Sequence, residues 1–115
     1  MRKREVFALM AGLGILAASP LFAQDKAQIT RGMKVYADQK CAFCHAIDQK
    51  GNAKGPLDDA GVKLTAVEIR AWIVSPKEMA EKTGATRKPP MKSYAQLPAD
   101  DLDALVAYLQ TLKKK

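Results

Sequence analysis

The sequence predicts an all-α domain of about four helices. Apolar residues recur at helical spacing near both ends of the chain, a helix-capping signature opens a segment in its middle, and no stretch of useful length alternates apolar and polar residues as a half-buried strand would. At 115 residues the chain has room for one domain. No repeat, low-complexity tract or interdomain linker divides it.

The first segment, residues 1–23, reads as a secretory leader. Arg2, Lys3 and Arg4 precede an apolar run from Val6 to Ala18, followed by Ser19-Pro20 and the small residue Ala23. Leu21 is larger than the usual residue three before a cut, so cleavage after Ser19 is an alternative to cleavage after Ala23. The apolar run is interrupted by Gly12 and Gly14 and is shorter than the ~20 residues that span a bilayer, so no membrane segment is expected once the leader is removed. The functional domain is then residues 24–115.

The next segment is a helix over 27–39, with Ile29, Met33, Val35 and Tyr36 near helical spacing. Gly32 lies one turn before Tyr36, where another helix would approach closely. Residues 46–63, with three glycines and a proline and no sustained period, read as loop. Thr65 and Glu68 match a capping box, and the helix they open should end near Ser75, because Pro76 disfavours helical geometry in the residue before it. Ser75 and Glu78 repeat the box pattern with proline at the first helical position, and Gly84 stops that short helix. Pro89, Pro90 and Pro98 impose an extended path on residues 85–98. In the last helix Leu102, Leu105, Val106, Leu109 and Leu112 form one apolar stripe. Asp100, Asp101 and Asp103 open it and Lys113, Lys114 and Lys115 close it, each sign opposing the helix dipole. The two terminal helices are expected to pack together, bringing Gly32 and Tyr36 to Leu105, Tyr108 and Leu109.

The chain carries 19 basic and 12 acidic residues, a net charge of +7, and stays basic without its leader. Nucleic acid is not the expected partner, because an exported protein rarely meets it and the lysines are spread along the chain rather than clustered. An acidic protein partner, or solubility alone, accounts for the charge instead.

The only two cysteines and the only histidine fall within five residues, Cys41-Ala42-Phe43-Cys44-His45. A thioredoxin-like dithiol also uses C-x-x-C, but in a βαβ context that is not found here. Structural zinc needs a larger set of cysteine and histidine ligands than the chain supplies. A disulfide, the usual state of two cysteines in an oxidising compartment, would close a loop too short to constrain much of the unfolded chain and would leave His45 unexplained. C-x-x-C-H is the attachment motif of c-type haem, and that reading uses all three residues: two thioethers to the haem vinyl groups and an imidazole for the iron. Haem also gives the long loops 46–63 and 85–98 something apolar to wrap. With no second histidine, a methionine is the expected further axial ligand, from Met33, Met79 and Met91. Met33 is assigned to the core and Met79 to packing in a short helix. Met91 is preferred, because it follows two prolines in a rigid extended loop.

At this point the residues resemble a small bacterial class I cytochrome c, over nearly the whole chain after the leader. The resemblance rests on Gly32 and Tyr36, the attachment motif, Gly55-Pro56-Leu57, WIVSP at 72–76, PPMKSY around Met91 and LVAYL at 105–109. It implies the class I cytochrome c fold, a few helices around one covalently bound haem c with the terminal helices crossed, His45 as proximal and Met91 as distal iron ligand. It further implies that the Pro56 carbonyl accepts a hydrogen bond from the non-ligating nitrogen of His45. Trp72 would lie against the haem pocket, or equally be a core aromatic of the capped helix. Arg87 is a candidate partner for a haem propionate, or a solvated cation. Pro98 departs from the family, which often places a serine or threonine cap there.

A haem with both axial positions filled leaves outer-sphere electron transfer as its chemistry, and a methionine ligand favours the reduced state. The expected function is a monomeric, periplasmic one-electron shuttle that is not an enzyme, with Lys40, Lys88 and Lys92 steering it toward acidic patches on redox partners. Two alternatives remain: a haem subunit or electron acceptor of a larger dehydrogenase or oxidase, and a five-coordinate haem enzyme or gas sensor.

Overall fold

A computed structural model describes residues 20–114, with side-chain surroundings from Asp25 onward. Most of the expected leader, residues 1–19, lies outside the described residues, as does Lys115. Five α-helices, one 3-10 turn and one minimal hairpin follow in order: α1 (Pro20–Asp38), the 3-10 turn (Cys41–Phe43), β1 (Ala46–Ile47), β2 (Lys50–Gly51), α2 (Ala60–Lys63), α3 (Ala66–Val74), α4 (Pro76–Thr83) and α5 (Ala99–Gln110). The all-α expectation holds, with one helix more than the sequence indicated.

The terminal helices pack on each other as expected, and Gly32 is the reason they can. A Cβ at residue 32 would fall on the Ala104 carbonyl oxygen and within 2.6 Å of the Tyr108 Cβ. Without it, the α1 backbone lies directly on α5. One turn on, Tyr36 meets Tyr108 edge to face, with ring centroids 6.0 Å apart. Arg31 reaches Asp101 across the same seam at 2.7 Å. The core gathers on this seam from Val35 of α1, Ile69 and Ile73 of α3, and Leu102, Leu105, Val106 and Leu109 of α5. Burying such side chains contributes ~1.5–3 kcal/mol each. Met33 does not belong to it. It is 51% exposed, because the residue beside Gly32 points about 100° away around the helix.

Capping is realised at one of its two expected sites. Thr65 Oγ1 accepts from the Glu68 amide at 3.1 Å while the Glu68 carboxylate accepts from the Thr65 amide at 2.8 Å, so the box at α3 is complete. The bond from the Thr65 amide to the carboxylate, with the adjacent Thr65 hydroxyl adding to it, holds the Glu68 carboxyl below its ordinary pKa. Ser75 forms no such box, for its side chain makes no capping bond to α4. Its backbone already ends α3, with its amide donating to the Ala71 carbonyl at 2.7 Å. Pro76 at the first helical position and Gly84 in left-handed geometry bound α4 as expected. Pro98 likewise gives α5 no side-chain cap.

The stretch 46–63 is more ordered than a plain loop. β1 and β2 are joined through Asp48 and Gln49, both at positive φ, as the tight primed hairpin turns require. Ala46 also pairs in parallel with Pro56. The lysines at the end of α5 act differently from the sequence reading: the helix stops at Gln110, and Lys114 turns back, its amide donating to the Asp58 carbonyl at 2.8 Å and its ammonium lying 3.4 Å from Asp48. Among the described residues no helix is long and apolar enough to cross a membrane.

Replacing Gly32 with alanine should destabilise the protein despite the better helix propensity of alanine. The added methyl meets backbone on α5, and overpacking of this kind costs roughly 1–3 kcal/mol. Urea denaturation of the two proteins measures it, and an unchanged midpoint would contradict the close crossing.

Candidate haem site

The site begins where α1 ends. Lys40 turns the chain in left-handed geometry, φ 58°, directly into the 3-10 turn that carries Cys41. The Cys44 and His45 amides both donate to the Cys41 carbonyl, at 3.1 and 2.9 Å. This turn holds Cys41, Cys44 and His45 close together. Both thiols are free and half-buried. Burial pushes the Cys41 thiol up to about 11, with the neighbouring Cys44 adding to the rise and Lys92 opposing it, so in the unmodified chain it is a protonated thiol rather than a reactive thiolate.

His45 is set by its backbone surroundings. Its Nδ1 faces the Gly55 carbonyl at 3.0 Å. A carbonyl only accepts, so Nδ1 carries the proton and Nε2 keeps its lone pair. The Pro56 carbonyl, expected to take this bond, does not. The register decides it: the Ala46 amide donates to Gly55 at 3.1 Å and the Leu57 amide donates back to Ala46 at 2.8 Å, which turns the Gly55 carbonyl, and not that of Pro56, toward His45. Gly55 is also a close-approach position, since a Cβ there would meet the Arg87 guanidinium and the Cys44 carbonyl. Burial lowers the His45 pKa, Arg87 adds to that, and the Gly55 bond opposes it. The ring is thus favoured neutral, the form that ligates metal. Gly51, at φ 113°, seals the other side of the hairpin, where a Cβ would strike the His45 carbonyl oxygen.

The second segment of the site runs from Arg87 to Tyr94. Met91 is half-buried and packs against the core. Just beyond it, Ser93 Oγ donates to the Val74 carbonyl at 2.7 Å and the Tyr94 amide to the Ile73 carbonyl at 2.9 Å, tying the segment to the end of α3. It runs near the attachment turn: the Lys92 charge is felt at Cys41, and Cys41 and Cys44, after burial itself, push the Tyr94 hydroxyl up. Trp72 is half-buried on α3 but lies outside the central apolar cluster that Ile69 and Ile73 enter. Met79 is half-buried on α4. The sequence reading missed the role of the Gly55 backbone and the reach of Arg87 to it. Gly55 was visible as a motif position, whereas nothing local in the sequence marks a contact between residues 55 and 87.

The donor set fits a covalently held haem. Two unlinked thiols stand in one turn beside an imidazole with a free Nε2, and Leu57, Leu64, Met91, Tyr94 and Leu97 remain only partly buried around the core, apolar surface for a macrocycle to cover.

Comparison with known proteins agrees with this chemistry. Residues 29–113 match the family model described as Cytochrome c. Cytochrome c oxidase subunit 2 of Alkalihalophilus pseudofirmus is 30% identical over 92 residues, covering 72% of this chain and 25% of that protein. The chain therefore spans about a quarter of the length of the curated relative it matches. No solved structure matches it. The chain belongs to the cytochrome c family, haem electron-transfer domains, and binds haem c covalently through Cys41 and Cys44.

Proposed function

We propose that this protein is a one-electron carrier that works in the periplasm, with His45 and Met91 as its two axial ligands and no substrate of its own. The single observation that carries this reading is the Nδ1 bond of His45 to Gly55, which presents Nε2 as a donor beside the two thiols. Haem c supplies a one-electron Fe(III)/Fe(II) couple, and methionine ligation favours its reduced form. The protein's part is to hold both donors through the change of charge. His45 is fixed by a backbone carbonyl that itself sits in a paired register, and Met91 by packing on the core and by the two bonds from Ser93 and Tyr94 to α3. Trp72, half-buried on α3, is assigned to the wall of the same pocket.

Lys40 and Lys92 flank this region and Lys88 stands three residues before Met91; all three are exposed. They favour an acidic docking surface on the partner, with an association rate that falls as salt screens the attraction. Export rests on the leader at residues 1–23, and N-terminal sequencing of the mature protein from a periplasmic fraction tests it. A second reading, a haem domain acting within a larger oxidase, is favoured by the likeness to a protein named cytochrome c oxidase subunit 2. Co-purification with a large partner would select it over the free carrier.

Loss of both cysteines, in a Cys41→Ala, Cys44→Ala variant, should leave haem extractable by acidified acetone, whereas the wild type retains it. Met91→Ala should abolish the weak long-wavelength sulfur-to-iron band of the oxidised protein and open the reduced protein to carbon monoxide. A wild type that already binds carbon monoxide readily would sink the carrier reading and put the five-coordinate enzyme or sensor first. Reduction by an identified partner should slow with added salt, and a salt-independent rate would remove the lysines from docking.

A further inference from the structure

The segment carrying Met91 is held less than its position suggests. Every residue from 81 to 90 is exposed. Among the described residues, backbone hydrogen bonds tie it only at its two ends, where Ala85 donates to Ala80 and Tyr94 to Ile73. Between these anchors the side chains must do the holding. Met91 packs on the core, Ser93 Oγ donates to the Val74 carbonyl on α3, and Arg87 reaches across to the histidine side of the site. Arg87 lays its guanidinium on Gly55, with Cζ 3.0 Å from where a Cβ of residue 55 would stand. Gly55 is the residue whose carbonyl holds His45. Its lack of a side chain is what admits both the guanidinium and the Cys44 carbonyl.

We propose that Arg87 is a latch: its contact with Gly55 ties the methionine segment to the backbone that positions His45, so that the two ligand-bearing segments close on the haem as one unit. This deepens the reading of Met91 as an axial ligand and rests on it. Arg87 is a positioning residue, which acts by limiting the opening of residues 85–94. A guanidinium suits this role because its planar fork is already organised, so less side-chain freedom is lost on contact than with the flexible lysine ammonium. The contact is exposed, and its strength is that of a surface interaction.

The test uses the haem-loaded protein and its Arg87→Gln and Arg87→Lys variants. In Arg87→Gln the affinity of the oxidised protein for added imidazole, which competes with Met91, should rise about fivefold, the scale of an exposed charged contact. Amide hydrogen exchange of Tyr94 and Ala95, whose amides donate to the Ile73 carbonyl and to Ser93 Oγ, should accelerate, while that of α1 and α5 stays unchanged. Arg87→Lys should restore little of either. Unchanged exchange in Arg87→Gln would overturn the latch, whatever Met91 does. The Met91→Ala variant separates the two ideas. If it binds imidazole no better than the wild type, the methionine reading fails and exchange alone decides on Arg87. If it binds more tightly while Arg87→Gln stays at the wild-type level in both measurements, methionine ligation stands and the latch falls.

Discussion

The crossing of α1 and α5 at Gly32 is the constraint on which the remaining architecture depends. Backbone lies on backbone there, because any Cβ would strike the Ala104 carbonyl. That approach sets the line along which Val35, Leu105, Val106 and Leu109 are buried, and it places the end of α1 where the attachment turn must begin. α3 packs on α5 through Ile69 and Ile73 in the same core, aided at the surface by Arg70 with Asp103. The end of α3 in turn receives the methionine segment. Both halves of the site are therefore referred to one helix that carries none of its chemistry.

Within the site, positioning is done mainly by main chain. One carbonyl, that of Gly55, takes the Ala46 amide and the His45 ring together. A main-chain acceptor in a paired register moves less than a side chain and titrates not at all. The imidazole is thereby given a fixed tautomer in an environment whose burial already favours its neutral form. An iron centre that changes charge without losing a ligand needs this kind of stiffness around its donors.

The parts legible in the sequence are those with local causes. The apolar stripe of α5, the box of Thr65 and Glu68, the stops at Pro76 and Gly84 and the attachment motif each depend on residues within a turn or two of one another, and each appears in the structure. The family comparison likewise agrees with the cofactor read from the spacing of Cys41, Cys44 and His45, and with the fold that the resemblance implied. What escaped was either too short to leave a pattern, already committed to a neighbouring element, or set by distant partners. The hairpin at Ala46 has strands too short to show a pattern. Met33, assigned to the core from sequence, points about 100° around α1 from Gly32, away from the crossing, and is exposed. Ser75 matched a cap in sequence but is already committed to the preceding helix. The acceptor for His45 shifted from Pro56 to Gly55 because the register of Ala46 against Leu57 is invisible until the chain is folded.

The chain also closes on itself. Arg31 is paired with Asp101, seventy residues later, and Lys114 with Asp48, sixty-six residues earlier. Helix α1 is thus stitched to α5, and the chain just past α5 to the hairpin behind the attachment turn, while the exposed stretch 81–90 takes part in neither pairing. A single protease cut in that stretch would sever the polypeptide without separating it: two fragments, one holding the cysteines and histidine and the other the methionine and α5, would stay clasped through the Gly32 crossing.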